Sequence, residues 1–204
     1  MREIETRLGF GGNGFDGLLG VSKGRQIKPF ERRVSSDIRI RLSPATVVAR
    51  KAQAQRVVMD EQTLNRELGK PANEHWDSTT SRIKSVCEPL IEYLLFCDET
   101  PLTHKIEGTS SFAAEFQQQG PRDKKGRSLR DLDLTRRMFK YPCSYLVYSP
   151  SFSALPKEAK DYVFRRLHQI LTGQDQEDKF KHLSKDDRKA IREILTETLP
   201  EFQR

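Results

Sequence analysis

Cysteine is scarce in this sequence: Cys87, Cys97 and Cys143 are the only three among 204 residues. An odd number closes no complete disulfide framework. Cys87 and Cys97 fall on one expected helix, and at helical rise they stand roughly 15 Å apart, too far for a disulfide. Each is expected as a small buried apolar residue. There is no C-x-x-C and no C-x-x-C-H, which removes the common thiolate metal sites and covalent haem attachment. No apolar run approaches the ~20 residues of a membrane span. The N-terminus has no signal-peptide apolar stretch. No G-x-x-x-x-G-K-[ST] phosphate loop is present, and no unit repeats at a fixed period.

Apolar residues are also thin, at 35%, against 32% charged. They concentrate in four segments, 47–68, 83–96, 145–171 and 191–199, so a core shared among a few helices is expected. The net charge of +7 attracts polyanions at long range. Acids are interspersed with the bases almost throughout, as on an ordinary solvated surface.

Residues 1–42 carry most of the glycines and read as an irregular arm, because glycine at that density cannot hold a helix. Ser43-Pro44 starts a helix whose apolar face is Val47, Val48, Ala54, Val57, Val58, Leu64 and Leu68, with Gly69 and Pro71 as the stop. A second helix runs over 74–97, with Trp76, Ile83, Val86, Leu90, Ile91, Leu94 and Leu95 at helical spacing and Pro89 inside it. A short helix over 110–118 ends at Gly120-Pro121. Residues 122–130 form a polar loop, in which Ser128 and Asp131 are spaced to cap one turn. Tyr141-Pro142 opens a further short helix ended by Ser149-Pro150, with an alternating strand as the competing reading. Pro156 opens a helix with the inner stripe Ala159, Val163, Leu167, Ile170 and Leu171, closed by Gly173. Ser184 and Asp187 form a capping-box pair for the last helix, which Pro200 ends.

Few residues carry chemistry. Gly9-Phe10-Gly11-Gly12-Asn13-Gly14 matches G-x-G-x-x-G in letters, but neither a preceding strand nor a β-α-β pattern accompanies it. His75, His104, His168 and His182 are far apart, so no metal site is expected. Cys143 sits among bulky apolar residues, where burial opposes thiolate formation. The strongest functional feature is a basic segment over 122–140: Arg122, Lys124, Lys125, Arg127, Arg130, Arg136, Arg137 and Lys140, with Asp123, Asp131 and Asp133 among them. Cations contact phosphates, and Tyr141 and Tyr145 just beyond are of the type that stacks on bases. The competing reading is a solvated loop whose arginines pair with acids of neighbouring helices.

Several runs occur in order between 94 and 200. Leu94-Leu95-Phe96 is followed by Asp98-Glu99, Gly108-Thr109-Ser110-Ser111-Phe112 and Gly120-Pro121-Arg122-Asp123. Arg127-Ser128-Leu129-Arg130-Asp131-Leu132-Asp133-Leu134 then leads to Met138-Phe139-Lys140-Tyr141-Pro142-Cys143-Ser144-Tyr145-Leu146-Val147-Tyr148-Ser149 and Leu155-Pro156. This half of the chain resembles the C-terminal region of a group of uncharacterised bacterial proteins, usually longer and often exported. The resemblance implies that the chain is the C-terminal part of a larger protein, and it opens a periplasmic or envelope setting. A literal reading of the sequence places it in the cytoplasm. No activity comes with the resemblance, so no catalytic residue is carried over.

The expected fold is all-α: an irregular helical domain of about five to seven helices over 43–204, with the glycine-rich arm over 1–42. The leading functional expectation is a structural or interaction module, with a protein partner or a missing N-terminal domain as its counterpart. The alternative is a nucleic-acid binder acting through the eight bases of 122–140. The third is part of an enzyme to which Cys143, Tyr145 or Asp131 contributes. No cofactor is expected.

Overall fold

The computed structural model describes residues 44–71, 73–107 and 111–203. The glycine-rich arm and its Gly9-to-Gly14 pattern lie outside the described residues. Six α-helices make up the described part: α1 (Pro44–Glu67), α2 (Asp77–Leu94), α3 (Phe112–Gln118), α4 (Pro150–Ser153), α5 (Lys157–Leu171) and α6 (Lys185–Thr198). Single 3-10 turns cover Tyr145–Tyr148, Asp178–Phe180 and Pro200–Gln203. Among the described residues there is no strand, only one antiparallel bridge between Leu132 and Phe139. The domain is all-α, as the apolar spacing predicts. Helix α1 packs on α2 and α4, α2 packs on α5, and α5 packs on α6.

The inner face of α1 departs from expectation. Val47, Ala54 and Val57 are buried, but the stripe continues as Glu61 and Asn65. Leu64 and Leu68 instead stand 42% and 54% exposed. The cause is the segment that leads into α2. Glu61 accepts the Trp76 backbone N–H at 2.9 Å and bonds the His75 ring at 3.0 Å. Asn65 accepts the Trp76 indole N–H at 2.6 Å and donates to the Glu74 carbonyl at 2.8 Å. A buried face that meets backbone donors must itself be polar. Trp76 is therefore the residue before α2, half-buried, and not part of that helix's inner stripe. Gly69, at φ +64°, lets the Lys70 N–H return to the Asn65 carbonyl at 2.8 Å and end α1.

Between α3 and α4 the expected short helix is reduced to the 3-10 turn Tyr145–Tyr148. The residues before it are committed elsewhere: the Ser144 N–H donates to the Leu94 carbonyl at the end of α2, at 2.7 Å, and the Cys143 N–H donates to the Tyr141 carbonyl, at 2.7 Å. Ser144 then caps the 3-10 turn through Leu146, and Ser149 caps α4 through Phe152. The capping box of α6 forms as expected, Ser184 with Asp187.

One apolar cluster joins these elements, with Leu90, Ile91, Leu94, Leu167, Ile170, Ile191 and Ile194 fully buried. Each such side chain contributes roughly 1.5–3 kcal/mol on leaving water. Two charged clamps sit at its edge. Glu88 of α2 accepts from Arg166 at 2.8 Å, from the Tyr162 hydroxyl at 2.7 Å and from Lys179 at 3.2 Å. Arg188 of α6 donates to the carbonyls of Ile170, Phe180 and Leu183, taking up chain ends that α5 and the following 3-10 turn leave open.

Candidate functional site

The basic segment is a folded loop braced on α6. Its pivot is Asp123, whose carboxylate is out of water. It accepts the backbone N–H of Lys125 at 3.0 Å and of Arg127 at 2.8 Å, and the Arg127 Nε at 2.7 Å. Gly126 closes the turn in the left-handed region, at φ +73°, and donates to the Asp123 carbonyl. Burial pushes the Asp123 carboxyl up, and the hydrogen bonds from Arg127 and Lys125 more than offset it, holding it below the ordinary carboxylate range.

Most of the predicted cations are engaged by the protein's own acids. Arg127 lies between Asp123 at 2.6 Å and Glu193 at 2.7 Å, and Lys125 reaches Glu193 at 2.8 Å. Hydrogen bonds from Lys125 and Arg127 lower the Glu193 carboxyl to about 2. Arg122 pairs with Asp131 at 3.0 Å and donates to the carbonyl of Gly126. Arg137 pairs with Asp187 of α6 at 2.6 Å and donates to the Lys140 carbonyl at 2.7 Å. Arg136 touches Asp133 at 3.6 Å but is 85% exposed. Lys124 is exposed and held by its backbone N–H on Glu197, and Lys140 is exposed over the Tyr141 ring. Arg130 differs from all of these. It is half-buried, has no carboxylate partner among the described residues, and lies over the rings of Phe116 and Tyr145 at 4.7 and 4.3 Å.

The residues named for an enzymatic role are not brought together as a nucleophile and base. Cys143 is fully buried, and burial alone pushes its thiol up to about 12, so thiolate is negligible near neutral pH. Burial pushes the Tyr145 phenol up to about 12, with Arg130 opposing. Asp131 is occupied by Arg122 and by the Ser128 backbone N–H, the capping turn that the spacing predicts. Among the described residues, no three of His, Cys, Asp and Glu come close enough to hold a metal ion.

Two of the concavities among the described residues bear on function. One, of about 700 Å³, lies at the end of α2 between Phe96, Glu99, Arg136, Arg137, His182 and Asp187, and mixes both signs of charge. Phe96 and Asp98 at its wall adopt positive φ, 54° and 59°. The other, of about 1310 Å³, is a groove between α5, α6 and the C-terminal 3-10 turn. Leu155, Phe164 and Phe202 supply its apolar surface, with Phe164 set edge-on to Phe202 at 5.9 Å. Arg165, His168 and Arg192 stand exposed on its rim. The acids there are already engaged, Asp161 by Lys157 and Glu201 by Lys160. Sequence reasoning missed this groove, although one signal was present: Phe164 adjoins Val163 of the inner stripe of α5 without belonging to it.

In comparisons with known proteins, no family model, no curated protein and no solved structure matches the chain. Among the described residues no helix is long and apolar enough to cross a membrane.

Proposed function

We propose that the chain is a helical interaction module that takes an acidic segment of a partner protein in the groove between α5 and α6. The observation that carries this is the groove's composition: an aromatic surface from Phe164 and Phe202 beside cations, Arg165, His168 and Arg192, that no carboxylate of the described residues engages. Apolar contact supplies affinity and rim charge supplies steering and selection. The resemblance of residues 94–200 to the C-terminal regions of longer bacterial proteins supports reading it as one module of a larger bacterial protein. The alternative, nucleic-acid binding through 122–140, draws support from Lys124, Arg136 and Lys140, whose side chains project to solvent on one loop. It is weakened by the acids that engage Arg122, Lys125, Arg127 and Arg137.

One titration separates the readings. A fluorescent peptide rich in Glu and Phe, and a single-stranded oligonucleotide, are each titrated with wild type and with Arg165→Glu/Arg192→Glu. The peptide is expected to bind wild type, with about a tenfold loss in the double variant, near 1.4 kcal/mol. Peptide binding unchanged by the double reversal, or no peptide binding, rejects the groove. An oligonucleotide that binds with a steep salt dependence and is lost in Lys124→Glu/Arg136→Glu/Lys140→Glu establishes the alternative.

A further inference from the structure

Resting on the reading of the α5–α6 groove as a peptide site, we propose that the acid it takes is a phosphorylated side chain, with an aromatic residue of the same segment two positions away. The two helices run antiparallel, which fixes what faces what. Arg188 in the first turn of α6 donates to the Ile170 carbonyl at the end of α5. Lys160 in the first turn of α5 reaches Glu201, just past α6, at 3.1 Å. Arg192 is one turn on from Arg188, so it stands at the level of the α5 turn that precedes Ile170. That turn carries Arg165 and His168, three apart and therefore on one side of the helix. All three residues line the groove and are exposed.

The donors of this group are unspent. The acids of the groove face lysines instead, Asp161 with Lys157 and Glu201 with Lys160. Arg165 lies over the Tyr162 ring at 5.3 Å. Contact through the guanidinium face restrains the side chain and leaves its in-plane N–H groups free. Two guanidiniums and an imidazole exceed what one carboxylate occupies, since a carboxylate carries one charge and fits one guanidinium fork. A phosphoryl group has three acceptor oxygens and close to two negative charges at neutral pH, which matches two arginines and a further N–H donor. Recognition of phosphorylated segments by arginine clusters follows the same logic.

The aromatic surface sets the spacing. Phe164 precedes His168 by one turn, about 6 Å along α5, and Phe202 meets it edge-on at 5.9 Å. An extended segment advances about 3.3 Å per residue, with alternate side chains on one side. A phosphorylated residue held by His168 and Arg192 thus sets the residue two positions away over Phe164 and Phe202.

The test titrates the full chain with three short fluorescent peptides that differ at one position, phosphoserine, glutamate or serine, each with phenylalanine two positions to either side. Anisotropy is expected to show phosphoserine binding about tenfold tighter than glutamate, and glutamate tighter than serine. Arg165→Gln/Arg192→Gln, at two exposed positions, is expected to erase that preference and to leave the helical spectrum unchanged. Moving the phenylalanines next to the phosphoserine is expected to weaken binding about fivefold. Equal affinity for the phosphoserine and glutamate peptides overturns the phosphoryl assignment while the groove reading stands; binding of none of the three overturns both. A phosphoserine preference that survives Arg165→Gln/Arg192→Gln also overturns the assignment. So does displacement of the phosphopeptide by inorganic phosphate at equal concentration, which marks a free-anion site. A single-stranded oligonucleotide that binds wild type more tightly than the phosphopeptide, and loses that binding in the same variant, overturns it in favour of nucleic acid.

Discussion

Replacing Asp123 tests whether the basic segment is a braced structural loop. The carboxylate is fully buried and satisfies two backbone N–H groups, of Lys125 and Arg127, besides the Arg127 guanidinium. In Asp123→Ala both N–H groups lose their acceptor, at about 1–3 kcal/mol each where water cannot replace it. Arg127 keeps Glu193 at 2.7 Å and is partly exposed, so its own loss is small. The sum is about 3 kcal/mol, which for a chain of this size lowers Tm by about 6–12 °C. Asp123→Asn keeps one acceptor oxygen for the two backbone N–H groups and loses the charge and the oxygen that faces Arg127, for about half that effect. The pH dependence has a definite sign. The folded-state carboxyl is held below its ordinary value, so its stabilisation is complete above the unfolded pKa of about 3.9 and disappears as pH falls through the folded value. The Tm gap between wild type and Asp123→Asn, followed by circular dichroism, is therefore widest near neutrality and narrows as pH falls below the unfolded value and through the lower folded one. A Tm change in Asp123→Ala under about 2 °C, or a gap that persists unchanged in acid, refutes the reasoning.

Two further expectations follow from buried groups. Cys87 and Cys143 are buried with thiols pushed up to about 12, so at mildly alkaline pH iodoacetamide reaches them only through unfolding, at a rate that tracks denaturant; rapid labelling of either under native conditions contradicts the core described here. The lone Trp76 donates its indole N–H to Asn65 at 2.6 Å, so Asn65→Ala costs about 1–2 kcal/mol and shifts tryptophan emission to the red, and an unchanged spectrum with unchanged stability removes this polar end of α1 from the account.

Much of the architecture is readable from local spacing. The stripe Ala159, Val163, Leu167, Ile170 and Leu171 of α5 is buried as its periodicity requires. Ser184 and Asp187 are near enough in sequence to form their capping box without help from the rest of the chain. Pro44 at the start of α1 and Gly69 after its end act through their own backbone preferences. The candidate sites were far less legible. The eight cations of 122–140 look alike in sequence, yet Arg127 is engaged, Lys124 projects to water and Arg130 lies over two rings.

The amino-acid order by itself determined the all-α class, the position of most helices and the inward face of α2, α5 and α6, because a helix is settled by hydrogen bonds and side chains within a turn or two of each other. Only the tertiary structure decided that Glu61 and Asn65 take the place of leucines inside α1, that Tyr145 heads a 3-10 turn anchored on α2, and that Glu193 rather than a polyanion holds Arg127. Those outcomes depend on partners brought close by the path of the whole chain, and a charge or an orphaned N–H acquires its meaning from whatever group stands opposite it.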